Sequence, residues 1–352
     1  MTDRVDISKP AVSIRSELAD LKKPSGVAGE AVLKAETLEE QQNLIGVNKT
    51  NWVINGDFQI WQRSTTGSAS NGFSITSADR WWSVRGALNQ ETDDHGNPYA
   101  HVVCGDYADS AYIQTKVENP GRFSGEWLTF QFEIKSDEGL NDGYIYARNY
   151  STGNAWQNHV LEGFQYGSSW KKFVATWYMP TSITYNTGAY GLELFIYGNY
   201  GRFNANTKSY DVRNVQLVEG HYPEGIEFIR RSYGEELALC QRYYIKRLCP
   251  AEDNYPGLFS CWLSTSNYIN GITQFEVPMR AAPTLAASGN WRGQGHADSG
   301  QSASSNMTLH NASPTACRIN MSGASFSGTN GQFAVLQGKS TNAYIEFDAE
   351  LS

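Results

Sequence analysis

Several features that would assign this chain of 352 residues to a familiar protein class are missing from its sequence. No run approaches the ~18 apolar residues that a membrane-spanning helix needs. The N-terminus, MTDRVDISKP, has neither the basic nor the apolar segment of a secretory signal. No basic patch stands out, and the net charge is −8. We therefore expect a protein made in the cytoplasm that inserts into no membrane and binds no nucleic acid.

The chain also lacks the sequence patterns of disulfide frameworks, zinc sites and common enzymes. Its cysteines are Cys104, Cys240, Cys249, Cys261 and Cys317, and they form no C-x-x-C pair. We expect free thiols, most of them buried. The six histidines are scattered, and no H-E-x-x-H, G-x-S-x-G or phosphate-binding loop is present. The sequence predicts no catalytic residues, no bound metal and no cofactor, so we expect that the protein is not an enzyme.

Two segments rich in carboxylates leave alternatives open. DDHG at 93–96 and SDEGLNDG at 136–143 offer the oxygen ligands that calcium prefers. Hairpin turns have the same composition, so turns are the simpler interpretation. A pair of carboxyl groups suited to glycoside hydrolysis is not excluded, but no pattern points to one.

The first 51 residues contain no aromatic residue, although the chain has 10 Trp, 20 Tyr and 15 Phe. AVSIRSELADLKK at 11–23 and TLEEQQNLIG at 37–46 have the apolar spacing of short helices. Neither exceeds the ~12–15 residues below which an isolated helix is marginal. We predict that residues 1–50 form a helical arm that packs on another copy of the chain or on a partner. A frayed tail is the alternative.

Apolar and polar residues alternate over residues 51–220, as in EWLTFQFEIK at 126–135. Clusters of Gly, Asn and Asp separate such segments. This pattern predicts an all-β fold, with an antiparallel jelly-roll sandwich over residues 51–220. NWVINGDFQIWQR at 51–63 is predicted to be its first strand, with Arg63 held by a carboxylate or a carbonyl.

A connector with a short helix is predicted over residues 221–243. Ser232 and Glu235 have the spacing of a capping box at the start of this helix. Residues 244–352 return to alternating segments and predict a smaller C-terminal β-sandwich domain. Pro278 and Pro283 bracket a turn and confine the adjoining strand to a sheet edge or its end.

Six residues in segments with loop-like composition are candidate contacts for a glycan or another receptor. They are Tyr150, Trp156, Tyr200, Arg202, Trp291 and Arg292. Aromatic faces stack on the apolar C–H face of a sugar ring, and arginine bonds its hydroxyl groups. Each ring has an alternative role as a lid on its own domain or as a contact between subunits.

Several separated motifs together resemble a known family. They are NWVINGDFQIWQR, SADRWW at 77–82, VRNVQLVEG at 212–220, YGEELALCQRYYIK at 233–246, VPMRAAPT at 277–284 and YIEFDAEL at 344–351. In order and spacing they resemble tail-fibre and receptor-binding proteins of tailed bacteriophages. The resemblance covers residues 51–352. Residues 31–47 resemble the attachment segments that precede such domains.

The resemblance implies a homotrimeric fibre protein of the virion, made in the host cytoplasm. Its N-terminal arm would join other phage tail proteins. Its central sandwich, which resembles jelly-roll carbohydrate-binding modules, would recognise a glycan or another receptor on the bacterial surface. Two alternatives remain, a structural fibre connector or decoration protein, and a polysaccharide depolymerase. Depolymerases usually contain a long β-helix, whose repeat pattern is missing here.

The sequence departs from the related carbohydrate-binding modules at a calcium site. Those modules place a Glu in an Asn-Gly-x-Phe-Glu element and an Asp in the last strand. Here Gln59 and Arg213 stand in these positions. A family-like calcium is therefore not expected, and a hydrogen bond or stacking contact of Arg213 is predicted in its place.

Overall fold

The structure is a computed structural model. It describes residues 49–67, 73–74, 77–104, 111–137, 141–150, 156–181, 191–198, 209–249, 257–265, 268–295, 301–303, 307–322, 330–338 and 343–351. Residues 1–50 and 51–352 form two separate compact units. The helical arm predicted for the first unit lies outside the described residues, which include only residues 49 and 50 of it. The following description concerns the second unit.

Eleven described strands build the first sandwich. They are β1 (Phe73–Ser74), β2 (Trp82–Val84), β3 (Gly86–Thr92), β4 (Pro98–Cys104), β5 (Tyr112–Val117), β6 (Trp127–Lys135), β7 (Asn141–Tyr150), β8 (Trp156–Tyr166), β9 (Lys171–Tyr178), β10 (Leu192–Tyr197) and β11 (Ser209–Glu219). One sheet has the order β1-β2-β5-β10-β7-β8, and the other has the order β3-β4-β11-β6-β9. Every described pairing is antiparallel, so the predicted jelly-roll fold is confirmed.

Apolar and polar residues alternate along the strands, so each sheet has an apolar face that packs against the other sheet. Leu128 and Phe130 of β6 belong to the same buried cluster as Leu192 and Leu194 of β10. Because successive side chains of a strand point to opposite faces, each of these residues faces inwards. The residues between them point away from the core, which creates an outer face on each sheet.

The prediction of a first strand over residues 51–63 is wrong. The segment forms a turn followed by irregular chain, and Asn55 has a positive φ of 57°. Its amide donates to the carbonyl oxygens of Ile60 (2.8 Å) and Asp79 (2.9 Å). The next residue, Gly56, packs so closely on the carbonyl oxygen of Val215 that a Cβ there would overlap it. Isolated backbone bonds to β11, such as Trp52 N–H to the Leu217 carbonyl (2.8 Å), and contacts of the Asn55 side chain thus replace a ladder.

The connector ends in a helix, α1 (Tyr233–Gln241), whose start confirms the predicted capping box. The Ser232 hydroxyl accepts from the Glu235 amide, and the Glu235 carboxylate accepts from the Ser232 amide. α1 is the only α-helix in the described part of the chain, and no described helix is long and apolar enough to span a membrane.

The strands of the second sandwich follow α1. They are β12 (Tyr244–Cys249), β13 (Gly257–Thr265), β14 (Tyr268–Gln274), β15 (Thr284–Ser288), β16 (Asn290–Gly295), β17 (Gln301–Ala303), β18 (Met307–His310), β19 (Ala316–Ser322), β20 (Phe333–Gly338) and β21 (Ala343–Asp348). A three-stranded sheet, β12-β21-β15, and a seven-stranded sheet, β17-β16-β20-β13-β14-β19-β18, share a second apolar core. β15, which follows the proline-bracketed turn, is an edge strand, whereas β14, which precedes the turn, lies inside its sheet and ends at Gln274. All five cysteines are free thiols, as expected, and only Cys104 is not fully buried.

Charged residues link the first sandwich to β21 and to the residues that follow it. Arg63 pairs with Asp348 (Nη1–Oδ2 3.0 Å), which confirms the predicted carboxylate contact of Arg63. Arg80, which is buried, pairs with Glu350, and its guanidinium lies 3.6 Å from the centre of the Tyr243 ring. The motifs SADRWW and YIEFDAEL therefore meet in space.

Candidate ligand-binding surfaces

The outer face of the five-stranded sheet is divided by the connector that follows β11. The Gln131 amide donates to the Ile226 carbonyl and accepts from the Ile226 amide, both at 2.8 Å. Gln216 on β11 makes the same kind of contact with Glu227 and Ile229, at 3.2 and 2.9 Å. Both glutamines point outwards and are nevertheless buried, because the connector covers them. The two ends of the outer face lie on either side of the connector.

At one end lies an exposed group of rings, which we call the rim cluster and which consists of Trp127, Tyr178 and His221. Trp127 and Tyr178 are 42% and 47% exposed. Their ring centres are 5.9 Å apart in an edge-on arrangement, and the His221 ring lies 4.3 Å from that of Trp127.

Strand register explains why these rings meet. Trp127 is the first residue of β6 and pairs directly with Tyr178, the last residue of β9. His221 follows a turn held by Gly220, whose amide donates to the Trp127 carbonyl (2.7 Å) and whose carbonyl accepts from the Thr129 hydroxyl (2.7 Å). β9 is an edge strand, so the rings lie at the border of the sheet with open solvent beside them.

The rim cluster has the chemistry of a sugar-stacking surface. Its two large rings present apolar area that a soluble domain does not need to leave exposed. Near the same end of the sheet, Glu219 forms an ion pair with Arg122 (Nε–Oε1 3.8 Å), and these groups can bond hydroxyls. The arrangement combines apolar stacking with nearby polar groups, as carbohydrate sites do.

At the other end lies a second group, which we call the cation cluster and which consists of Tyr99, Lys135, Trp170 and Arg213. The Tyr99 and Trp170 rings are 5.6 Å apart, and the Arg213 guanidinium lies 4.2 Å from the Trp170 ring centre. Arg213 also pairs with Glu133 (2.7 Å) and Asp93 (3.1 Å). The predicted hydrogen bond or stacking contact of Arg213 is confirmed, since both occur. One face of Trp170 is thus occupied within the protein.

A histidine–aspartate pair borders the cation cluster. His101 and Asp211 are paired across β4 and β11, and His101 Nδ1 lies 2.6 Å from Asp211 Oδ1. The hydrogen bond to Asp211 raises the pKa of His101 above its ordinary value. Lys135 also contacts Asp211 (Nζ–Oδ2 3.3 Å). Around this end Arg213, Lys135 and His101, which is cationic when protonated, pair with Asp93, Glu133 and Asp211. Such mutual pairing suits a structural network better than an open site.

The acidic segment at 93–96 forms a turn. Asp93 Oδ1 accepts from the backbone amides of His95 (3.0 Å) and Asn97 (2.9 Å), and these bonds lower the pKa of Asp93. The second acidic segment, at 136–143, lies partly outside the described residues. Within the described ranges, no group of three or more His, Cys, Asp or Glu side chains could hold a metal ion.

The six candidate contacts predicted from the sequence lie in different environments or outside the described residues. Tyr150 and Trp156 are paired on β7 and β8, but their side chains are outside what the structure describes, as are Tyr200 and Arg202 altogether. Trp291 is fully buried, and its indole donates to the Ser288 carbonyl (3.0 Å).

The expectation that Trp291 contacts a receptor is therefore wrong, because the ring fills the second core. Its neighbour Arg292 points outwards on β16, where its Nε donates to Gln337 (2.8 Å). The rim cluster was missed by the sequence reasoning. A signal existed, since alternation in EWLTFQFEIK places Trp127 on the polar face together with Thr129 and Gln131.

Comparisons with known proteins found no matching family model and no matching curated protein. Among solved structures, the chain is similar to a putative sugar-binding protein from Bacteroides thetaiotaomicron (10% identity, 49% of this chain, 100% of that chain, TM-score 0.34). It is also similar to the C-terminal family 22 carbohydrate-binding module of Clostridium thermocellum Xyn10B (11% identity, 49% and 98%, TM-score 0.31). A third is the enzymatically active domain of bacteriophage CBA120 tailspike protein 4 (12% identity, 48% and 21%, TM-score 0.31). At these identities and TM-scores, similarity alone assigns no function to this chain.

Proposed function

We propose that this protein binds a glycan on the bacterial surface through the rim cluster, without enzymatic activity, as a receptor-binding component of a phage tail fibre. The observation that carries the proposal is the exposed pair of Trp127 and Tyr178 at the border of the jelly-roll sheet. Exposed aromatic residues at interfaces contribute a large share of binding energy, since they desolvate much apolar area at a small cost in side-chain entropy.

The virion role rests on the series of motifs that resembles phage tail-fibre proteins. On this proposal the chain is made in the host cytoplasm, assembles as a homotrimer and joins other tail proteins through residues 1–50. The contacts of Arg63 and Arg80 with the C-terminal segment agree with a rigid unit, which suits a fibre that must present its binding surface at a fixed angle.

The proposal is tested with variants of the rim cluster in the intact chain. Trp127→Ala and Tyr178→Ala are each expected to weaken binding to purified host-surface polysaccharide about tenfold or more, which corresponds to ~1.4 kcal/mol. Tyr233→Ala is the matched control, because Tyr233 is a 59% exposed ring on α1 and belongs to neither sheet of the first sandwich. Binding is measured by biolayer interferometry, and adsorption to whole host cells by co-sedimentation.

Three results would contradict the proposal. Equal binding by the two rim variants and the Tyr233 control would leave the rings without a role in recognition. If the wild-type protein also fails to bind host polysaccharide, a structural fibre component is the better description. Release of reducing sugar from the polysaccharide by the wild-type protein would instead show a depolymerase.

A further inference from the structure

The outer face of the seven-stranded sheet in the second sandwich carries a straight row of side chains. Across five neighbouring strands, strand register pairs each member of the row with the next. The row consists of Phe333, Trp262, Asn270, Asn320 and Thr308. Neighbouring strands lie about 4.8 Å apart, so the row is about 19 Å long. We call this row the platform.

The platform is apolar at one end and rich in amides at the other. Phe333 is 62% exposed, and its neighbour Trp262 is partly exposed. Asn320 donates to the side-chain oxygen of Asn270 at 3.0 Å, so the two amides hold each other in place. Fixed rings and fixed amides in one line suit a chain of pyranose units, whose C–H faces stack and whose hydroxyl groups need donors and acceptors.

Cations border the platform, and no carboxylate occupies a described outward position of its five strands. Arg318 pairs in register with Ile272 and with His310, one row away from the asparagines. The buried Nε of Arg318 has no hydrogen-bond partner among the described residues. Arg292 lies on the same face, beside Gln337.

The charge of this face is opposite to that of the whole protein. No outward position of β13, β14, β18, β19 or β20 whose side chain is described is occupied by Asp or Glu. The chain as a whole contains 36 acidic residues against 28 Lys and Arg. A face that excludes carboxylates in an acidic protein is electrostatically complementary to an anion.

We propose that the platform binds an acidic polysaccharide, in which pyranose rings stack on Phe333 and Trp262 while carboxylates pair with Arg318 and Arg292. Asn320, which the buried Asn270 holds in place, bonds the hydroxyl groups between these points. A second copy of the same face is a poorer occupant, because two surfaces that each carry arginines and no carboxylate at a described outward position repel each other. This site is separate from the rim cluster and does not depend on it.

The test uses the full chain and two immobilised polysaccharides, polygalacturonate and neutral dextran. Wild type is expected to bind polygalacturonate more tightly than dextran, and the difference should shrink as salt is added. Phe333→Ser and Arg318→Gln should each weaken polygalacturonate binding about tenfold. Arg318→Gln should also reduce the salt dependence.

Ile272→Ser is the matched control, because Ile272 is a 59% exposed apolar residue on the same face but outside the row. It should keep wild-type affinity, and so should the rim variant Trp127→Ala. The inference is overturned by absent binding to polygalacturonate, by equal binding to dextran, or by an equal loss in Ile272→Ser. It is also overturned if Phe333→Ser lowers the oligomer mass in sedimentation, since the face would then join copies. If host binding is lost in Trp127→Ala and kept in Phe333→Ser, the result supports the proposed function of the rim cluster but not the inference about the platform.

Discussion

Asp79 should make the stability of this protein fall as the pH rises towards neutrality. Its side chain is fully buried, and burial raises its pKa from 3.8 to about 7, although hydrogen bonding to Gln62 and the charge of Arg63 act against this. Gln62 donates to Asp79 Oδ2 at 2.6 Å, whereas Oδ1 is buried without a hydrogen-bond partner among the described residues. Ionisation therefore leaves a poorly compensated charge in the interior.

The direction of this pH dependence of stability follows from proton linkage. Between pH 3.8 and about 7, the folded protein holds a proton that the unfolded chain has released. The free energy of unfolding therefore decreases as the pH rises through this window and becomes level above it. A difference of about 3.2 pH units, at ~1.36 kcal/mol each, amounts to about 4 kcal/mol.

Asp79→Asn removes this titration and keeps the shape of the side chain. Its amide oxygen can still accept from Gln62, and its NH2 group replaces the unpartnered oxygen. The variant should match wild type near pH 4 and exceed its stability by up to about 4 kcal/mol at pH 8. Equilibrium urea denaturation, followed by tryptophan fluorescence from pH 4 to pH 8, measures both curves.

Asp142→Asn is the control, since Asp142 also accepts from a glutamine amide, that of Gln165 at 2.9 Å, but in an exposed pair. It should leave the pH dependence of wild type unchanged. Parallel stability curves for wild type and Asp79→Asn, or a less stable variant at pH 8, would refute the reasoning.

Two further predictions concern local contacts. Ser232→Ala should lower the free energy of unfolding by about 1 kcal/mol, because it removes the cap of α1, and urea denaturation should show no loss with Ser232→Asn, which can still cap. Asp211→Asn should lower the pKa of His101 towards its ordinary value in an NMR titration, since the hydrogen bond to Asp211 raises it. This pair stabilises the fold fully below pH 6.5 and loses its effect as the pH rises through the folded pKa of His101, so an unchanged titration would argue against the bond.

Much of the fold was predictable because its causes are local. Alternation of residue types along β6 fixed its two faces, and the spacing of Ser232 and Glu235 fixed the start of α1. These signals depend on neighbours within a few residues, which the sequence shows directly. The first strand predicted at 51–63 failed for the opposite reason, since its backbone groups bond to Asp79 and to β11, distant in sequence.

The candidate site was less predictable, because exposure is a property of the assembled chain. Trp291 lies in a segment rich in Gly and Ser and was expected at the surface, yet the second core closes over it. Trp127 lies in a regular strand and was expected to be part of an ordinary sheet, yet the sheet ends beside it.

The sequence by itself determined the all-β class and the helix cap, and it predicted that a carboxylate or a carbonyl anchors Arg63. Only the tertiary structure decided which rings meet at a surface and which carboxylate holds Arg63. The pairing of Trp127 with Tyr178 and the row from Phe333 to Thr308 both arise from strand register. Register joins residues that are far apart in the sequence, and solvent exposure depends on everything that packs around them.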